Sequence, residues 1–206
     1  MRTLVIASQK GGVGKTTIAG HLGVMAEAQS AGPVALIDTD PQGSLASWWN
    51  ERQAETPAFA SVDIANLAEH LQELEKAGIK LAIIDTPPAV TTTIRKVLSV
   101  ADLVLIPTRP SPHDLRAVGS TVELAEAAGK RMVFVINGAA NRARITAEAA
   151  IALSQHGTVA PVTLFQRTDY AASMIDGRTV QEIDATSRSA TEVEELWKYV
   201  TSHLRK

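Results

Sequence analysis

The stretch Leu4-Val-Ile-Ala-Ser8 leads into Gln9-Lys-Gly-Gly-Val-Gly-Lys-Thr-Thr17 and then into a helical pattern, and this constrains the chain more than any other feature. The first segment reads as a buried strand. The three glycines read as a turn, and Ile18, Leu22 and Met25 recur at i, i+4, i+7. Backbone N–H groups grip a polyphosphate only at close range, which glycine permits by lacking Cβ and reaching unusual dihedrals. A helix beginning near Lys15 points its positive end at the same place. The segment therefore reads as a phosphate loop, in which Gly11, Gly12, Val13 and Gly14 supply backbone. Lys15 would bridge the β- and γ-phosphates, Thr16 would ligate Mg²⁺, and Thr17 would reach the α-phosphate.

Four further β-branched runs, Val34–Ile37, Leu81–Ile84, Leu103–Ile106 and Val133–Ile136, are near-continuously apolar, as suits strands buried on both faces. Helical patterns separate them. Ile64, Leu67, Leu71 and Leu74 mark an acid-rich surface helix, and Leu115, Val118, Val122 and Ala125 mark another. The last, from about Ser189 to Leu204, aligns Val193, Leu196, Trp197, Val200 and Leu204. This alternation predicts an α/β fold with a doubly wound, mostly parallel sheet flanked by helices, as in P-loop NTPases. It is expected as one domain over 1–206, with ligand at the carboxyl ends of the strands. The segment Ile106–Pro112 reads as a proline-rich loop leaving a strand.

Composition narrows the chemistry. The chain has no cysteine, which excludes disulfides, thiolate metal sites, Fe–S ligation and cysteine nucleophiles. The apolar start is too short for a signal-peptide core or a membrane span, so a soluble, cytoplasmic protein is expected. Net charge is −2, so any DNA binding must come from a local patch. The five histidines show no metal-ligand spacing.

Two predicted strands end in acids: Val34–Ile37 runs into Asp38-Thr-Asp-Pro-Gln-Gly43, and Leu81–Ile84 into Asp85-Thr-Pro-Pro88. Strand C-termini converge on the phosphate loop, where a divalent cation needs oxygen ligands and hydrolysis needs a group that orients water. Asp85 fits the acid that supports Mg²⁺. Asp38 and Asp40 suit the same site, or either caps a helix starting near Ser44. Trp48-Trp49 reads as a docking surface or as core packing.

The strict phosphate-loop pattern requires glycine where Gln9 stands. Lys-Gly-Gly-x-Gly-Lys-Thr-Thr, with its extra Lys10, instead resembles the deviant Walker A motif of the ParA/MinD superfamily. DTDPQGSLASW (38–48), IPTRPSPHDLRAVGS (106–120) and QRTDYAASMIDGRTVQE (166–182) are similar to the small ParF-type branch of the ParA partition ATPases. The resemblance implies an ATP hydrolase that is slow and stimulated by a partner, using ATP and Mg²⁺. It implies an ATP-dependent sandwich homodimer in which Lys10 reaches the twin's nucleotide. It gives Asp40 the attacking water, Asp38 a part in the metal site, and Asn137 the adenine edge, unless Asn137 only forms a turn before Gly138. It implies a centromere-binding or cargo adaptor of ParB or ParG type, nonspecific DNA, a nucleoid-associated location, no membrane partner, and the positioning or segregation of DNA or other cargo. The alternatives are a MinD-like membrane-cycling regulator and an ATP-dependent metabolic ligase of the same superfamily. For DNA the last helix offers only Lys198, Arg205 and Lys206 beside Glu192, Glu194 and Glu195, leaving Arg142, Arg144, Arg167, Arg178 and Arg188 as candidates. Arg109 matches a segment along the nucleotide and dimer interface.

Overall fold

The computed structural model describes residues 1–88 and 92–205. Its sheet has seven parallel strands: β1 (Arg2–Ile6), β2 (Val34–Asp38), β3 (Ala58–Phe59), β4 (Leu81–Asp85), β5 (Leu103–Thr108), β6 (Met132–Ala139) and β7 (Thr158–Phe165). Their spatial order is β3-β2-β4-β1-β5-β6-β7. The helices are α1 (Lys15–Ala28), α2 (Ser44–Asn50), α3 (Leu67–Lys76), α4 (Thr92–Ser99), α5 (Pro112–Ala127), α6 (Arg144–Ser154), α7 (Thr168–Ser173), α8 (Val180–Ile183) and α9 (Arg188–Leu204). The chain winds to one side of β1 as far as β4 and then crosses to β5 on the other. That reversal opens a crevice above the carboxyl end of β1, where the glycine-rich loop lies.

The strands are unbroken apolar runs because each face meets a helical layer. Leu4, Ile6, Leu36, Ile83 and Val135 point into a core closed by α1, α2, α8 and α9. Val5, Ala7, Ile37, Ile84 and Phe134 point the other way, into a core closed by α3, α4, α5 and α6. The expected apolar face of α9 is wholly buried: Val193, Leu196, Trp197, Val200 and Leu204 are each at most 4% exposed. No helix among the described residues is long and apolar enough to cross a membrane.

Four features differ from the sequence reading. Helix α1 is buried all round from Ile18 to Ala26, not along one stripe, because α2, α8 and α9 cover the side away from the sheet. It fits only because it is thin in places. A Cβ on Gly23 would lie 2.7 Å from Leu36 Cδ2, and one on Gly20 would lie 3.2 Å from the Trp48 ring. Secondly, the Ile106–Pro112 segment is mostly regular structure, since β5 extends to Thr108 and Pro112 opens α5 behind the cap Ser111. Pro107 lies on the side of β5 that faced β1, beyond the point where β1 has left the sheet, so its missing N–H breaks no ladder bond. Thirdly, strand β7 carries Thr158, Pro161 and Thr163, and its register on β6 slips between Phe134 and Ile136. An edge strand with a bulge and a proline has no continuous apolar run to detect. Finally, α3 starts at Leu67, and Ile64 belongs to a short 3₁₀ turn capped by Asp63.

The tryptophans are structural. Trp48 is 5% exposed with Nε1 donating to the Arg178 carbonyl, while Trp49 is half-buried, packs on Phe59 and donates to the Pro57 carbonyl.

Candidate functional site

The loop after β1 takes its shape from two glycines. Gly12 has φ +74° and Gly14 has φ +91°, a left-handed conformation that side chains disfavour. Gly14 is also crowded, because a Cβ there would run into Asn137 Nδ2. As the residue before α1 it offers no side-chain cap, and the first turn of α1 holds no acid. Helices α5 and α9, by contrast, are capped by Ser111 and Ser187. The N–H groups at the start of α1 are therefore left to an external anion, backed by the positive end of the helix dipole.

Lys15 is 7% exposed and curls back, its Nζ 3.3 Å from the Lys10 carbonyl. Burial lowers its pKa, opposed by the negative charges of Asp85 and Asp40. Thr16 Oγ1 donates to Asp85 Oδ2 at 2.5 Å. Asp85 ends β4 and is 1% exposed; burial chiefly, with nearby Asp38 adding, pushes its pKa up to about 7 against the Thr16 hydrogen bond and Lys15. Its Oδ1 is buried with no hydrogen-bond partner. A buried, unsatisfied carboxylate oxygen beside a threonine hydroxyl and a phosphate loop is the donor set a hard divalent cation would complete. The residues present therefore fit magnesium.

Asp38 faces Asp85 across the ladder at the end of β2. The sequence reading gave it to the metal as well as leaving open a cap, and the structure shows it accepting the N–H groups that open α2. Its Oδ2 accepts from Leu45 N at 2.9 Å and Ala46 N at 3.1 Å, and its Oδ1 accepts from Asp40 N at 3.0 Å. The reason is local: α2 starts after Gly43, which has no side chain to cap with, so the orphan N–H groups take the nearest acid. Asp40 is half-buried, accepts from Gln42 N at 3.0 Å, and lies close enough to Lys15 to act on its charge. Lys10 is exposed, and its ammonium makes no ion pair among the described residues.

The fold thus brings Lys10 to Thr17, Asp38, Asp40 and Asp85 to one crevice. Asn137 joins from β6, but its Nδ2 donates to the Val13 carbonyl at 2.6 Å, so the amide expected to read a base is braced against the loop. Beside Gly14, Thr17 and Asn137 opens a cavity of about 150 Å³, which runs to the segment after β7.

The arginines expected to meet DNA have separate surroundings. Arg144 pairs with Glu148 and Arg178 with Asp176, both at the surface. Arg142 and Arg188 are exposed with no ion pair among the described residues. Glu192 holds the Arg167 guanidinium through two hydrogen bonds beside the cavity. Glu192 is correspondingly no surface acid, being 8% exposed. Lys198 pairs with Glu194, and Lys206 lies outside the described residues.

Sequence reasoning also passed over His21 and Tyr170. His21 is 1% exposed beneath the loop, with Nδ1 2.7 Å from the Thr17 carbonyl and Nε2 accepting from Val180 N at 3.3 Å. Burial pulls its pKa down to about 4, so it is neutral, with the proton on Nδ1. Its only signal in the sequence is a polar residue between Ile18 and Leu22 in a buried helix.

The chain is similar to several known proteins. The maintenance of carboxysome distribution protein A of Halothiobacillus neapolitanus is 31% identical over 199 residues, covering 92% of this chain and 91% of that one. Protein ParA of Rhizobium radiobacter is 32% identical over 126 residues, 60% of this chain and 56% of the relative. Among solved structures, apo McdA from Cyanothece superposes with a TM-score of 0.78 at 20% identity, covering 99% of each chain. MinD of Pyrococcus horikoshii, complexed with Mg-ADP, does so with a TM-score of 0.80 at 17% identity, covering 97% of this chain and 95% of that one. The model of the CobQ/CobB/MinD/ParA nucleotide binding domain matches residues 4–180, and the chain belongs to that family.

Proposed function

We propose that this protein is a MgATP-dependent ATPase of ParA type that pairs as an ATP-bound sandwich dimer, binds nonspecific DNA and positions a cargo through a small adaptor that stimulates hydrolysis. The observation that carries the reading is the division between its two loop lysines. Lys15 is buried against its own loop, while Lys10 at the loop's start is exposed and its ammonium makes no ion pair among the described residues. A lysine that serves its own phosphates has no need of a second, exposed one beside it. An exposed lysine at the mouth is placed to meet charge on another molecule.

Within one protomer, the backbone of residues 11–14 and the start of α1 bind the phosphates, and Lys15 neutralises the charge that builds on the bridging oxygen. Magnesium, when bound, supplies positive charge to the phosphate oxygens, and Thr16 and Asp85 are the residues that would hold it. Asp38 adds negative charge next to Asp85 and keeps α2 in place. Asp40 orients the attacking water. Among the described residues, Arg109 and Arg167 line the cavity beside the loop, and Arg167 is tied to Glu192, so a slow turnover awaits a partner that completes the site. Burial of the apolar face of α9 counts against the membrane-cycling alternative, because that face is not available to lipid. The full-length relative named for carboxysome distribution and the shorter matches named ParA support cargo positioning over a metabolic ligase.

The test is calorimetry with MgATP, followed by sedimentation and DNA binding with and without nucleotide. Uptake of MgATP, a shift to dimer and ATP-dependent retention of random-sequence DNA are expected. A chain that binds MgATP yet stays monomeric and hydrolyses it rapidly with a small acid would be a ligase instead.

A further inference from the structure

Glu192 lies in the second turn of α9 and turns both carboxylate oxygens toward the end of β7 and the start of α7. Its Oε1 accepts from Arg167 Nε at 3.0 Å and Nη2 at 2.6 Å. Its Oε2 accepts from the Phe165 N–H at 3.0 Å and the Tyr170 hydroxyl at 2.9 Å. Four donors on one buried carboxylate fix a segment of six residues, 165–170, at three points. The far side of that segment is fixed too. The Tyr170 ring meets His21 edge-on at 5.4 Å between centroids, and His21 donates to the Thr17 carbonyl beneath the phosphate loop.

Phe165, Gln166, Arg167 and Tyr170 of this braced segment line the 150 Å³ cavity together with Gly14, Thr17 and His21 and with Val193 and Leu196 of α9. The orientation of a nucleotide follows from the loop. Thr16, Asp85 and Lys15 mark the end of the terminal phosphate, so the chain of phosphates leaves past Thr17 and Gly14, toward the cavity. Glu192 is buried while Arg167 stays partly exposed, so the pair adds little net stability, but four donors on one carboxylate hold their segment in one geometry. We infer that Glu192 is a positioning residue for the nucleoside end of the nucleotide, holding residues 165–170 as the wall against which base and ribose lie. The inference rests on the reading that a triphosphate occupies the loop. It ties the last helix, which touches no phosphate, to nucleotide affinity.

Calorimetry with MgATP and with magnesium tripolyphosphate separates this role from a merely structural one, because tripolyphosphate fills the loop and has no nucleoside. Glu192→Gln should weaken MgATP binding about tenfold or more, as fits the loss of a buried charge-assisted hydrogen bond, and leave tripolyphosphate unchanged. Turnover at saturating MgATP should stay within about twofold of wild type, because no group at the terminal phosphate moves. Tyr170→Phe, which removes one donor of four, should act in the same direction by a smaller factor, and it carries the comparison if Glu192→Gln does not fold. MgATP affinity equal to wild type in both variants, or equal loss of both ligands, overturns the positioning role. A wild-type protein that takes up neither ligand overturns the proposed function instead, so the two failures are distinguishable.

Discussion

Lowering the pH from 7 to 5 acts on two buried groups of this protein in opposite directions. His21 has an ordinary value of 6.5 and a folded value of about 4. The unfolded chain takes up that proton first, so stability falls as pH drops below 6.5 and stops falling near 4. Between pH 7 and 5 the loss is about 2 kcal/mol. Asp85 goes the other way, from 3.8 to about 7. Its folded value is raised, so its contribution is full below 3.8 and is lost as pH rises through 7; moving from pH 7 to 5 regains about 2 kcal/mol. The nucleotide-free protein should therefore change by less than about 1 kcal/mol over this range from these two groups. Urea unfolding followed by fluorescence of Trp48, Trp49 and Trp197 reads the balance. In Asp85→Asn only the histidine remains, and stability should fall by about 2 kcal/mol from pH 7 to 5. In His21→Gln only the aspartate remains, and stability should rise by a similar amount. The other titrating groups are common to all three proteins and cancel in the comparison. Parallel pH profiles for wild type and both variants would refute the assignment of these two buried groups.

Other expectations concern the loop and its surroundings. Lys15→Ala should weaken MgATP uptake by about 3 kcal/mol, roughly 100-fold, while Lys10→Ala should bind MgATP and fail to dimerise in sedimentation. A nucleotide-loaded dimer of Lys10→Ala would remove Lys10 from the interface. Asn137→Ala should weaken MgATP and MgGTP alike, by about 1.5 kcal/mol or roughly tenfold, because its amide braces Val13. Loss confined to ATP in that calorimetry would restore a base-reading role. Charge reversal at both Arg142 and Arg188 should weaken ATP-dependent DNA binding and flatten its salt dependence by about 0.9 log units for each phosphate no longer neutralised. An unchanged slope in fluorescence anisotropy would clear both residues.

What could be seen in the sequence divides along a physical line. The four apolar runs after β1, the glycine-rich loop and the acids closing β2 and β4 were legible, because parallel strands buried on both faces and phosphate-loop chemistry each demand particular residues in a row. Strand β7 was not, since its pleat alternates at a sheet edge and Pro161 interrupts it. Glu192 looked like one of three surface acids because nothing local distinguishes a glutamate that finds Arg167 and Tyr170, 25 and 22 residues away. Asp38 was ambiguous for a related reason. A carboxylate at a strand end can serve a metal or cap a helix, and nothing local in the sequence shows that the Leu45 and Ala46 N–H groups lie within reach of Asp38.

The slimness of α1 at Gly20 and Gly23 has a mechanical consequence. With sheet on one side and Trp48 pressed on the other, the helix has no room to bow, so whatever happens at its first turn is transmitted to its neighbours as displacement of a stiff rod. Leu36 lies on the strand that ends in Asp38, and Trp48 lies on the helix that Asp38 caps. A pull on Lys15 would thus be felt at Asp38 and Asp40 from two directions at once, so that grip on the phosphates and the placing of water are geared together.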